Sequence, residues 1–252
     1  MWVKISCYPR CCLLKSRSYR ARIWELDMLR GIAVMLMVFF HIIYDLHEFF
    51  QFPVSYAAGP VYYIGKAAAV LFIGVAGISC TLSQNNTKRG LKLLGGGLGI
   101  TLVTSLIIPG AYIVYGILHF LGSAVLLYNI IQKAHPGLLS VLGTATIGTG
   151  FYLQHTGITG NKFLIPLGLP GPDFTSVDYY PLIPWLGVFL YGMAAGKTLY
   201  KKKASLFPAA PLQHNIINTW GRHSLFIYLV HQPVILTLLL LLFPNHNVFF
   251  HK

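Results

Sequence analysis

Arg30, His41, Tyr44 and Asp45 stand inside the first hydrophobic stretch of the chain, with Gly31 directly after the arginine. An ionisable side chain at mid-membrane depth costs roughly 2.5–3.5 kcal/mol on insertion scales, so such groups face a bundle interior, pair with one another and carry chemistry or transport. Eleven residues separate Arg30 from His41, close to three helical turns, and Asp45 lies one turn further on the same face. The rise from Arg30 to His41 is roughly 16 Å. A histidine oriented by a carboxylate makes a general base, and an arginine at the stripe's end suits a phosphate. The plainer alternative is a buried polar pair that only fixes helix packing.

Three further constellations share this character. His119 closes G-I-L-H (116–119), where a lone histidine on an apolar helix is more often structural. Asp178 opens D-Y-Y-P-L-I-P-W (178–185), where it is either a helix N-cap or a catalytic or substrate-binding carboxylate. The stretch G-R-H-S-L-F-I-Y-L-V-H-Q-P-V (221–234) sets Arg222, His223 and Ser224 at one membrane face and His231 near mid-membrane. Lys66 is a further buried charge that needs a partner, Asp45 or Asp178. Glu25, Asp27 and Arg30 read as an interfacial salt-bridge group. No Walker loop, HExxH, GxSxG or zinc-ligand spacing occurs, and no metal is expected.

The elements that must position these groups are membrane helices. Of the 252 residues, 55% are hydrophobic and 10% charged, against roughly a quarter charged in soluble domains. The fold class is all-α, a polytopic integral membrane protein of about seven spans: 29–50, 57–83, 91–108, 112–131, 137–153, 181–200 and 223–243. Most of the 19 basic residues fall in alternate connections, which places the N-terminus in the cytoplasm. That alternation explains the net charge of +13 without nucleic acid; membrane lipid is the expected surrounding. Residues 1–21 form a basic tail holding Cys7, Cys11 and Cys12, without a disulfide framework, and 22–252 form the transmembrane domain. The connection 154–180 has the length of a lid or binding loop.

These blocks, in this order, resemble the heparan-α-glucosaminide N-acetyltransferase catalytic family in its short prokaryotic form. The matching stretches are R-I-W-E-L-D-M-L-R-G-I-A (22–33), F-H-I-I-Y-D-L (40–46), F-I-G-V-A-G-I-S (72–79), G-I-L-H, D-Y-Y-P-L-I-P-W-L-G-V-F-L-Y-G (178–192) and the block 221–234. They also look like the wider transmembrane acyltransferase superfamily. The resemblance implies an acyltransferase of the cell membrane that moves acetyl from cytosolic acetyl-CoA to a sugar or other polar acceptor outside. Arg30, Arg222, His223 and Ser224 would then hold the donor. His41 would be the base with Asp45 as its orienter, and His231 or His119 the oxyanion stabiliser or second acid/base; Asp178 completes the set. The rival readings are a proton-coupled transporter and a non-catalytic membrane protein. Oligomeric state, including a homo-oligomer, is open.

Overall fold

The computed structural model describes residues 22–107, 112–208 and 215–244; the basic tail 1–21 lies outside the described residues. The regular elements are α1 (Trp24–Glu48), α2 (Gly59–Leu82), α3 (Asn86–Ile107), α4 (Ile117–Ile131), α5 (Pro136–Thr156), a 3-10 segment (Lys162–Leu167), α6 (Leu182–Leu199), α7 (Ile216–Arg222) and α8 (Ser224–Leu242). Among the described residues the extended pairing is an isolated bridge between Tyr115 and Tyr179. The all-α expectation therefore holds. Helices α1, α2, α6 and α8 are each long and apolar enough to cross a bilayer.

Local chemistry accounts for the boundaries. Glu25 and Asp27 lie in the first turn of α1, where acids favour the positive end of the helix dipole. Pro60 and Pro136 begin α2 and α5, the position at which proline's missing N–H costs nothing. Gly157 ends α5 with a φ of 61°, a left-handed conformation that glycine adopts without a Cβ clash. The segment expected over 112–131 is helical only from Ile117, because Tyr115 is extended and its carbonyl accepts from the Tyr180 N–H at 2.9 Å. The last hydrophobic segment is preceded by a separate short helix, α7, which ends where His223 leaves helical geometry.

Helix α6 packs between α2 and α5, α3 lies on α4, and α1 lies against α2, α7 and α8. Ile73, Phe120, Ala124, Phe189 and Met193 are fully buried where α2, α4 and α6 meet. The outside is apolar too. Leu98, Leu102 and Leu106 form a stripe along α3 at 63%, 61% and 74% exposure, a surface that suits lipid rather than water.

Close helix contact rests on glycine, the usual device where lipid tails supply no hydrophobic drive. A β-carbon on Gly192 would strike the Gly74 carbonyl, and one on Gly187 the Gly143 carbonyl. The tightest approach joins α1 to α7. There a β-carbon on Gly31 would meet the Ile217 carbonyl, and one on Gly221 would meet the Asp27 carbonyl and the Gly31 N–H. Gly95 of α3, by contrast, has open space. Gly221→Ala is expected to destabilise the protein by roughly 1–3 kcal/mol or more through overpacking, and Gly95→Ala to be neutral or mildly stabilising. Thermal unfolding in detergent checks this, and an equal effect of the two substitutions would refute the contact's importance.

Candidate active site

The α1–α7 contact gathers charge around one carboxylate. Asp27, 1% exposed, takes Arg22 Nε at 2.7 Å, Arg30 Nη1 at 2.7 Å and Arg222 Nε at 3.7 Å. Arg30 also donates to Ser79 Oγ at 2.5 Å, while that hydroxyl donates to the Val75 carbonyl at 2.6 Å. Arg30 thus ties α1 to α2. Glu25 does not join the cluster: its carboxylate accepts from Ser205 Oγ at 2.8 Å and the Leu206 N–H at 2.7 Å.

One carboxylate cannot neutralise three guanidinium groups, and the surplus faces a cavity of about 480 Å³. Arg30, Arg222, Lys88, Arg89 and Lys92 line it, with Asn85 and Ser224 but with no acid. Lys88, Arg89 and Lys92 lie in the first two turns of α3, the end of a helix that disfavours cations and favours anions. Asn86 anchors that turn by donating from Nδ2 to the Cys80 carbonyl at 2.9 Å. The cavity therefore has the electrostatics of a polyphosphate site. His223 does not line it and is exposed. In the sequence these three cations fall among the basic residues of the alternate connections, and the i, i+4 spacing of Lys88 and Lys92 puts those two on one face.

Next to this cavity lies a larger chamber of about 1460 Å³, lined by α1 to α6, α8 and the 157–181 connection. His41 and His231 both line it, with ring centroids 4.8 Å apart. The connection whose length suits a lid or binding loop supplies Phe174, Val177 and Asp178 to the wall. Aromatic rings, among them Tyr62, Tyr180 and Trp185, make much of the lining. Lys66 reaches the chamber between two of these rings, 5.4 Å from the centroid of Tyr62 and 5.2 Å from that of Trp185. Cation–π attraction takes the place of the carboxylate partner expected for it.

The hydrogen bonds define the histidine pair. His231 Nδ1 lies 2.6 Å from the Tyr228 carbonyl. A carbonyl only accepts, so Nδ1 carries the hydrogen and the neutral ring keeps a lone pair at Nε2. Among the described residues that Nε2 and Nδ1 of His41 are both buried without a hydrogen-bond partner. Asp45 is fully buried and accepts from Gln232 Nε2 at 2.7 Å; among the described residues no hydrogen bond joins it to His41. The Asp45–Gln232 bond instead sets the register of α1 against α8. It is this register that brings His41 opposite His231.

His119 and Asp178 play other parts. Thr101 Oγ1 donates to the Ile113 carbonyl at 2.6 Å, so His119 Nε2, 3.3 Å away, is the donor in their contact. The ring stacks on Tyr115 and fills the space beside Gly97, outside the chamber lining. Asp178 does line the chamber, and its Oδ2 accepts from the Ile117 N–H at 3.0 Å and from the Tyr228 hydroxyl at 3.3 Å. It caps α4, 61 residues away, rather than the helix it precedes.

Comparison with known proteins adds one finding. The family model described as "Heparan-alpha-glucosaminide N-acetyltransferase, catalytic" matches residues 22–233. Searches of curated proteins and of solved structures found no match.

Asp178 lies in the connection before α6, and burial pushes its carboxyl up to about 6 against the opposing pull of the Ile117 N–H and Tyr228 hydroxyl. The folded state therefore holds a proton that the unfolded chain releases nearer pH 4. This group's contribution to stability is largest below about pH 4 and is lost as pH rises through about 6. Asp178→Asn is expected to flatten that part of the pH profile of thermal stability; an unchanged profile would show that the carboxyl titrates normally.

Proposed function

Because the chain belongs to the heparan-α-glucosaminide N-acetyltransferase catalytic family, we propose that it is a membrane-embedded acyltransferase moving acetyl from cytosolic acetyl-CoA to a sugar or other polar acceptor on the extracytoplasmic side. The observation that carries this reading is the juxtaposition of an acid-free cationic cavity with a histidine chamber, the two sharing a wall. When bound, acetyl-CoA supplies an activated thioester. Lys88, Arg89, Lys92, Arg30 and Arg222 hold its phosphates, with Ser224 adding a hydroxyl. These residues come from the start of α1, the start of α3 and the α7–α8 junction, all at one end of the bundle. That end is cytoplasmic, with α1–α6 and α8 as the seven spans of a prokaryotic cell membrane protein.

In the chamber, His231 Nε2 has the free lone pair that accepts the acceptor's proton, while the Tyr228 carbonyl holds the ring in the working tautomer. His231 is the base in this scheme, the role that the sequence suggested for His41. His41, 4.8 Å away between ring centroids, stabilises the developing oxyanion or returns a proton. Asp45 positions both histidines through Gln232. The faces of Tyr62, Tyr180 and Trp185 offer stacking surfaces to a sugar ring.

His231→Ala and His41→Ala are each expected to lower acetyl transfer by roughly 10²–10⁴-fold while acetyl-CoA still binds. Lys88→Ala with Arg89→Ala is expected to weaken acetyl-CoA binding by roughly tenfold or more. Titration calorimetry and transfer of labelled acetyl by the purified protein check both. Full activity in either histidine variant would remove that residue from the mechanism. Substrate flux in proteoliposomes with no acylated product would favour a carrier.

A further inference from the structure

Phe72 of α2 lines both cavities. Three helices run from one cavity into the other past this side chain. On α2, Ala76 lines the cationic cavity and Ala69 the chamber; on α4 the corresponding residues are Leu121 and Ile117, and on α8 Leu225 and Tyr228. On α4 and α8 the change of cavity takes three or four residues, one helical turn or roughly 5 Å. The partition between the two spaces is thus about one turn thick.

The phenyl ring of Phe72 stacks on Tyr228, with centroids 6.5 Å apart and planes at 26°. The two rings differ in freedom. Tyr228 is tethered through its hydroxyl, which donates to Asp178 Oδ2 at 3.3 Å. Phe72 has no polar anchor, is only half-buried, and has cavity space on two sides. Turning the Tyr228 ring would break a hydrogen bond. Turning Phe72 would not.

We propose that Phe72 is the gate between the donor cavity and the histidine chamber, closing against Tyr228 and turning aside for the acyl end of a bound donor. This rests on the acyltransferase reading and extends it to a positioning residue. With phosphates held below and the base above, the acyl-bearing arm must pass this ring. The closed ring also keeps chamber water from the thioester. If that protection is lost, water adds to the thioester carbonyl carbon, the C–S bond breaks, and acetate and the CoA thiol leave, with the water proton passing through the base.

Binding separates the gate from the site below it. The probes are acetyl-CoA and adenosine 3′,5′-bisphosphate, a head fragment without the arm, titrated into the purified wild type, Phe72→Trp and Phe72→Leu. Phe72→Trp, which fills the passage, is expected to weaken acetyl-CoA by roughly tenfold and leave the head fragment unchanged. Phe72→Leu, a small apolar replacement that keeps the packing, is expected to retain both affinities and to raise acetate release without acceptor by roughly tenfold. If the wild type binds both probes and Phe72→Trp affects both equally or neither, the gate is refuted and the donor site stands. If Phe72→Leu hydrolyses acetyl-CoA no faster than the wild type, the gate is likewise refuted. If the wild type binds neither probe, the acyltransferase reading itself fails.

Discussion

The backbone contact between α1 and α7 is the constraint on which the site depends. Gly31 and Gly221 carry no β-carbon, so the two helices approach until main-chain atoms of one meet those of the other. At that separation Arg222 comes within reach of Asp27, already held by Arg22 and Arg30. The arginine–glycine pair of α1 and the glycine–arginine pair of α7 are therefore two halves of one device. The carboxylate makes the assembly of arginines tolerable, and its shortage of charge leaves the cavity cationic. Removing Asp27 would leave part-buried guanidinium groups without the carboxylate that holds them, which is the costly way to break a buried ion pair.

A second registry acts higher in the bundle. Asp45 and Gln232 join α1 to α8 beside the two histidines, and Asp45 is fully buried. Along two turns of α8 the chain then places Ser224 at the cationic cavity, Tyr228 at the partition, and His231 in the chamber. One helix thus connects the cationic cavity to the histidine pair. Asp178 links the connection before α6 to the same system, because its carboxylate reaches both the start of α4 and the Tyr228 hydroxyl.

The contrast between His119 and His231 shows how a buried histidine is assigned. Both sit on apolar helices. His119 spends its Nε2 hydrogen on a threonine that has already given its own to a carbonyl, and aromatic and glycine neighbours fill the space around the ring. His231 spends its Nδ1 hydrogen on a carbonyl, and among the described residues its buried Nε2 has no hydrogen-bond partner. The first arrangement is complete in itself, whereas the second leaves capacity for a proton.

Much of the fold was legible in the chain because it is locally encoded. Apolar length marked each long helix, proline and glycine marked several ends, and helical periodicity put Arg30, His41 and Asp45 on one face. The cationic start of α3 was visible as residue types, and its meaning was not, since charge near a membrane surface also sets orientation. Tertiary structure decided the rest. His41 faces His231 through an Asp45–Gln232 bond spanning 187 residues, Asp178 caps a helix 61 residues before it, and Lys66 settles on aromatic rings. Periodicity fixes which side of a helix a residue occupies. Which other helix stands there follows from glycine contacts and hydrogen bonds that exist only once the bundle has closed.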